Sequence, residues 1–205
     1  AAVVFTVPTG TDDILFPDNA KAMFGAGSDF KIYHDGSHTR MYETGTGNLT
    51  IGSSLVNIVN AAGSADQAYF TEGAEVSLYH NGTKKFETTA AGITVSGTAL
   101  ATTDTDTSNT GNVTLDFAAN QNFVLTLTGN TTLVNPTTEQ VGQSGFIVFI
   151  QDGTGGRTVA HGDQFFTPGN AAVNLSSAAA AVDVVPYIVQ AAGKILLGST
   201  QTAFS

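Results

Sequence analysis

An all-β chain is the fold class that this sequence predicts, and three observations predict it. Thr, Gly and Asn abound, residues that favour strands and turns over helices. Large apolar residues come in short alternating runs instead of at helical spacing. An apolar and aromatic pair before an Asx-Gly corner occurs twice, as Ile32-Tyr33-His34-Asp35-Gly36-Ser37 and as Leu78-Tyr79-His80-Asn81-Gly82-Thr83. Asx-Gly flanked by alternating apolar residues is the strongest short-range mark of a tight hairpin.

The two copies extend beyond their corners. Before the corner, Phe24 and Ile32 match Phe70 and Leu78 at an offset of 46; after it, Tyr42, Glu43, Leu49 and Ile51 match Phe86, Glu87, Ile93 and Val95 at an offset of 44. The first hairpin therefore carries two more loop residues, and loop tips accept such a change where strand registers do not. Copies of about 18–52 and 64–98 define a repeat region over residues 1–100. An internal repeat marks a stacked architecture in which one unit alone cannot bury its apolar face.

Taken in order, Ile14-Leu15-Phe16 and Ala22-Met23-Phe24 flank a turn at Pro17-Asp18-Asn19. Residues 30–34 and 40–43 flank the first corner, and Leu49-Thr50-Ile51 and 55–59 follow. The second copy supplies Ala68-Tyr69-Phe70, 76–80, 84–87 and Ile93-Thr94-Val95. Each strand offers only one or two large apolar residues. Such a meander cannot build a deep core from one chain, because isolated hairpins are marginal in water. Three chains packing identical repeats around a shared axis would bury those residues and make a rod-like shaft.

Residues 101–112 are polar and β-branched, with hardly a large apolar group, and read as a linker. Residues 113–205 read as an independent β-sandwich-like domain. Val113-Thr114-Leu115-Asp116-Phe117 alternates, as does Phe123-Val124-Leu125-Thr126-Leu127, which meets Thr131-Thr132-Leu133-Val134 across a predicted turn at Thr128-Gly129-Asn130. Residues 145–150 form a continuous apolar run suited to a strand buried on both faces. The glycine-rich corner at 152–156 leads into Arg157-Thr158-Val159-Ala160 and reads as a hairpin. Residues 182–189 and 194–197 read as a closing hairpin, with Pro186 implying an edge strand or bulge. Residues 178–181 have the composition for one helical turn.

Charge limits the partners. Seven Lys and Arg stand against seventeen Asp and Glu, a formal net charge of −10. A phosphate backbone or an anionic membrane surface would be repelled unless basic groups clustered, and along the chain only Lys84-Lys85 are adjacent. Neither nucleic acid nor membrane insertion is expected, since no apolar run approaches the length of a membrane helix. Cys is absent, which removes disulfide and thiolate chemistry. Ala1-Ala2-Val3-Val4-Phe5 shows neither the basic region nor the apolar segment of a secretory signal, and it lacks Met, which suggests processing or a missing upstream part.

Little in the sequence points to chemistry. Asp104, Asp106 and Ser108 have the one-three-five spacing of a calcium loop, but its sixth and twelfth places hold Asn109 and Leu115, not Gly and Glu. The corner at 152–156 is not followed by the Lys-Ser/Thr pair and helix of a phosphate cradle. His34 and His80 sit at equivalent places beside the two turns, where hairpin-flanking roles compete with stacking or metal binding in a ring of three chains. His38 has no counterpart. His161 and Asp163 resemble an acid-base pair, but no Gly-x-Ser-x-Gly accompanies them and a polar loop explains them. Paired carboxylates for glycoside cleavage have no signature in sequence, and Glu43 and Glu87 recur once per repeat, which suits a structural place. No catalytic, cofactor-binding or metal-ligating residue is assigned; ligand-binding residues are unknown and no cofactor is expected.

The string from Asp18 to Ser37 resembles repeats in tail-fibre and other virion structural proteins of tailed bacteriophages, especially marine ones. The stretches from Lys84 to Thr88 and from Gly92 to Thr98 are similar to another unit of the same proteins, and the segment from Gly111 onward to a C-terminal module of such fibres. The resemblance implies a place in the virion, on the tail or the capsid surface, and no catalytic assignment. It further implies a homotrimer associated with other virion proteins, whose distal end meets a host surface glycan or outer-membrane protein. A trimeric capsid decoration knob and a glycan-cleaving tailspike are the alternative roles. Loops 152–156 and 161–170 are the expected places of contact.

Overall fold

The computed structural model describes residues 9–10 and 14–204. The N-terminal stretch from which the absence of a signal was read lies outside them. The chain separates into two compact units, Ala1–Gly97 and Thr98–Ser205, and among the described residues every regular element but one short 3-10 turn is a strand. No helix is long and apolar enough to cross a membrane among the described residues.

The first unit holds two antiparallel meanders. Strands β1 (Lys21–Phe24), β2 (Phe30–His34) and β3 (Thr39–Glu43) form one sheet; β4 (Leu55–Val59), β5 (Asp66–Thr71), β6 (Val76–His80), β7 (Thr83–Thr89) and β8 (Gly92–Val95) form the other in chain order. The turn expected before β1 is closed by Ala20 N–H donating to the Pro17 carbonyl at 2.9 Å. The two Asx-Gly corners differ by two residues. Between β6 and β7 only Asn81 and Gly82 intervene, both at positive φ (50° and 70°), as a two-residue turn matching strand twist requires. Between β2 and β3 lie Asp35 to His38, where the Asp35 carboxylate accepts the N–H groups of Ser37 at 3.1 Å and His38 at 2.8 Å. Expected strands at 14–16 and 49–51 do not form. Leu15 makes an isolated bridge and 49–51 is irregular.

Alternation along the strands sorts each sheet into unlike faces. Ile58, Ala68, Leu78, Phe86 and Val95 oppose one another in a row across all five strands, with Val56, Phe70 and Val76 in a second row. Asn57, Tyr69, Ser77, Glu87 and Thr94 form the row between them on the reverse face. Among the described residues much of these apolar rows stays open. Phe70 is 44% exposed and Ile93 66%, and only Ala68 and Ser77 are buried among the described residues of this unit.

The second unit has a core of its own. Sixteen buried side chains, among them Phe123, Leu125, Leu127, Ile147, Phe149, Val185 and Ile195, pack into one cluster. Strands β9 (Thr103–Val113), β10 (Asn122–Leu133), β11 (Ser144–Gln151), β12 (Val159–His161), β13 (Phe165–Phe166), β14 (Val182–Ala191), β15 (Lys194–Leu197) and β16 (Gln201–Phe204) make one eight-stranded mixed sheet. The polar segment read as a linker is largely β9, an edge strand held in parallel register along the full length of β10. Its apolar contribution is deferred to the connection that follows, which carries Leu115 and Phe117 into the core.

Further expectations for this unit are corrected. Thr128-Gly129-Asn130 is not a turn: β10 continues through it, with a shift of register against β9 between Leu127 and Thr131. The corner at 152–156 does not fold β12 back on β11; β12 pairs in parallel with β10 instead. The domain expected to be β-sandwich-like is all-β, with four parallel strand pairs in its sheet. Pro186 lies in an interior strand between β11 and β15. Its carbonyl accepts Gly198 N–H at 2.8 Å, just past the end of β15, so the side on which its own N–H would lie needs no ladder partner. The closing hairpin of β14 and β15 forms as expected, turning at Gly193 with φ 67°. Residues 178–181 make a single turn, not a helix, with Ala180 at positive φ.

Candidate functional site

The most distinctive surface chemistry of the first unit lies on the three-stranded sheet. Its apolar face carries Ala22, Phe24, Phe30, Ile32 and Met41, with the rings of Phe24 and Phe30 5.7 Å apart. The alternate residues form a grid on the other face. Lys21, Tyr33 and Arg40 oppose one another in one row, and Met23, Lys31 and Tyr42 in the next. Three of the chain's seven basic residues thus share six positions.

The geometry within the grid is well ordered. Lys21 Nζ stands 4.8 Å from the centre of the Tyr33 ring, and the Arg40 guanidinium 6.0 Å from that of Tyr42. The two rings lie 6.4 Å apart and are tilted by 40°. Arg40 donates through Nε to Asp35 and through Nη1 to Tyr42 Oη at 2.9 Å. The hydrogen bond from Arg40, with those from the His38 and Ser37 N–H groups, holds the Asp35 carboxyl down at about 2. Lys31 Nζ donates to Thr44 Oγ1 at 3.2 Å. Among the described residues neither Lys21 nor Lys31 pairs with a carboxylate.

The corresponding face of the five-stranded sheet is different. At the repeat offsets Lys21 and Lys31 become Gln67 and Ser77, Tyr33 becomes Tyr79, and Arg40 becomes Lys84. Lys84 is engaged by Glu87 at 2.7 Å, while Tyr69 and Tyr79 meet edge to face at 5.5 Å. A groove beside this sheet is lined by Glu75 and Glu87 together with Gly73, Ala74 and residues 88–90, so one of its two carboxylates is already paired.

The residues singled out from sequence are not brought together. His34 Nδ1 lies 3.4 Å from Thr39 Oγ1 across its own hairpin. His161 Nδ1 faces the Gly162 carbonyl at 3.0 Å and its ring packs on Phe165, while Asp163 accepts Asn135 at 2.7 Å, so the two do not form an acid-base pair. Asp106 caps the Ser108 N–H in β9, away from any loop a cation would need. Among the described residues no three His, Cys, Asp or Glu side chains converge as a metal would require. The loop at 152–157 is rigidly built. Asp152 accepts Thr154 and Gly155 N–H groups and a forked pair of bonds from Arg157, the closest at 2.8 Å, which together hold its carboxyl at about 2. Sequence reasoning missed the basic grid because it looked for neighbours along the chain. The usable signal was period two: Lys21-x-Met23, Lys31-x-Tyr33 and Arg40-x-Tyr42 each send two residues to one face.

Comparison with known proteins bears on the second unit. Residues 102–194 match the family described as "Putative phage tail fibre C-terminal domain". No curated protein matches the chain, and no solved structure matches it. A domain of that family implies a place in the tail of the virion, and tail fibres are generally structural, not enzymatic.

Proposed function

From the match of residues 102–194 to a phage tail fibre C-terminal domain, we propose that the chain is a non-catalytic homotrimeric fibre that attaches the virion to its host. The observation that carries the reading is the contrast between the two units. The second unit buries sixteen apolar side chains in one cluster, whereas among the described residues the first leaves Phe24, Met41, Phe70, Leu78 and Val95 exposed on the apolar faces of its two sheets. Fully burying such a side chain is worth about 1.5–3 kcal/mol, so two further copies seated on those rows would stabilise the repeat region where a single chain does not. The polar faces then point outward, once per copy. Three weak contacts on one rod gain avidity through effective concentration, and no deep pocket is needed.

Host surface glycans or outer-membrane proteins are the partners this arrangement suits, alongside other virion proteins at the mount. Adhesion is tested by incubating the fluorescently labelled full chain with host cells. Saturable binding that blocks adsorption of the intact phage is expected; absence of binding at any concentration contradicts the reading. A glycan-cleaving role would release reducing ends from host polysaccharide, and none are expected.

A further inference from the structure

We propose that the grid of Lys21, Lys31, Arg40, Tyr33 and Tyr42 is a binding site for an acidic polysaccharide. Sugar rings would lie on the two tyrosines, and their carboxylates would pair with the two lysines. The proposal rests on the adhesion reading and gives it a place and a ligand chemistry.

Charge distribution is the first argument. In a chain of formal charge −10 with only seven basic residues, three cations share one six-residue face, and the carboxylates that border it sit in the adjoining loops, Asp35 on Arg40, Asp18 beside Gly36 and Asp29 beside Gly45. The second argument is that two of these charges are unspent. Arg40 is committed to Asp35, but Lys21 and Lys31 have no carboxylate partner among the described residues. Third, the fold does not require them, because the five-stranded sheet carries Gln67 and Ser77 at the same repeat positions. The pattern is therefore a property of this face and not of the hairpin.

The ring geometry selects among anions. Two half-exposed tyrosines 6.4 Å apart, with cations above and beside them, offer apolar planes next to positive charge. A uronate or sialate unit presents the matching pair of features, an apolar sugar face and a carboxylate. Single-stranded nucleic acid shares part of this chemistry through base stacking. It is disfavoured by the net charge of the chain, since a phosphate at every residue meets the surrounding acidic surface as well as the grid.

The test uses the full chain over immobilised polygalacturonate and polysialate, with neutral dextran and poly(dT) as comparisons. Binding to at least one acidic polysaccharide, weakening as salt rises, is expected. The double variant Lys21→Gln with Lys31→Ser, which copies the residues of the second repeat, should bind about ten-fold more weakly, as should Tyr33→Ala with Tyr42→Ala. Unchanged circular dichroism keeps these losses from being read as unfolding. Failure to bind either acidic chain, equal binding to dextran, preference for poly(dT), or undiminished binding by the lysine variant would each overturn the site. Host-cell binding separates this from the adhesion reading. Wild-type protein that binds cells as well as the lysine variant does would leave adhesion standing and remove this site; wild-type protein that binds no cells would remove adhesion itself.

Discussion

The hydroxyl of Tyr187 donates a 2.6 Å hydrogen bond to the carbonyl of Gln121, sixty-six residues earlier in the chain. This bond ties interior strand β14 to the connection between β9 and β10. The ring of Tyr187 also meets Phe117 edge to face at 5.3 Å, and Phe117 in turn meets Phe123 at 5.1 Å. Two parallel strands joined by so short a connection need an anchor of this kind, because parallel pairs are ordinarily bridged by a dozen residues or more.

Burial pushes the Tyr187 phenol up to about 12, with a hydrogen bond to Gln143 acting weakly in the opposite sense. The folded value lies above the unfolded one, near 10. Its contribution to stability is therefore fully present below about pH 10 and is lost as pH rises through about 12. Of the five tyrosines Tyr69 is also raised, by its hydrogen bond with Asp66, so an absorbance titration should show two late ionisations, of which only that of Tyr187 accompanies loss of the β-sheet signal. Tyr187→Phe should abolish that late step and lower stability by about 1 kcal/mol.

Asp183 is buried beside Phe149 in β11, and its carboxylate accepts Ser176 N–H at 2.6 Å, Ser176 Oγ–H at 2.7 Å and Ala203 N–H at 2.9 Å. Those bonds pin the segment before β14 and the last strand, β16, to the core. Asp183→Ala leaves the donors unpaired, and chemical denaturation should show a loss of roughly 2–4 kcal/mol.

Acid should act on two loops. Asp35 and Asp152 have folded values of about 2, held below the ordinary carboxyl value by Arg40 and Arg157 respectively and by backbone N–H groups. Because the folded values are depressed, their contribution is complete above about pH 4 and disappears as pH falls through about 2. Asp152→Asn should flatten the acid limb of the stability profile of the C-terminal unit and, in chemical denaturation, lower its stability at pH 7, where the wild-type contribution is complete.

The two Asx-Gly hairpins were legible because their signals are local. The Asx-Gly corners fix turns, and the two-residue slip between copies falls in the loop, four residues at Asp35–His38 against two at Asn81–Gly82. The C-terminal sheet was less legible because its pairings are not local. β9 is a strand on account of its neighbour β10, not of its own composition, and Thr128-Gly129-Asn130 looks like a turn only until β9 and β12 are seen flanking that stretch. The basic grid was hidden for the same reason. Lys21, Lys31 and Arg40 are about ten residues apart in the chain, and only the antiparallel register puts them side by side.

The account depends above all on the uncovered apolar rows of the two repeat sheets meeting their counterparts in other copies. The native mass of the full chain, measured by light scattering at neutral pH and moderate salt, tests this most directly. Three times the 21.0 kDa chain mass is expected, falling to a single chain when Leu78 and Phe70 are both replaced by Asp. A wild-type protein that remains a single folded chain at high concentration would contradict the account.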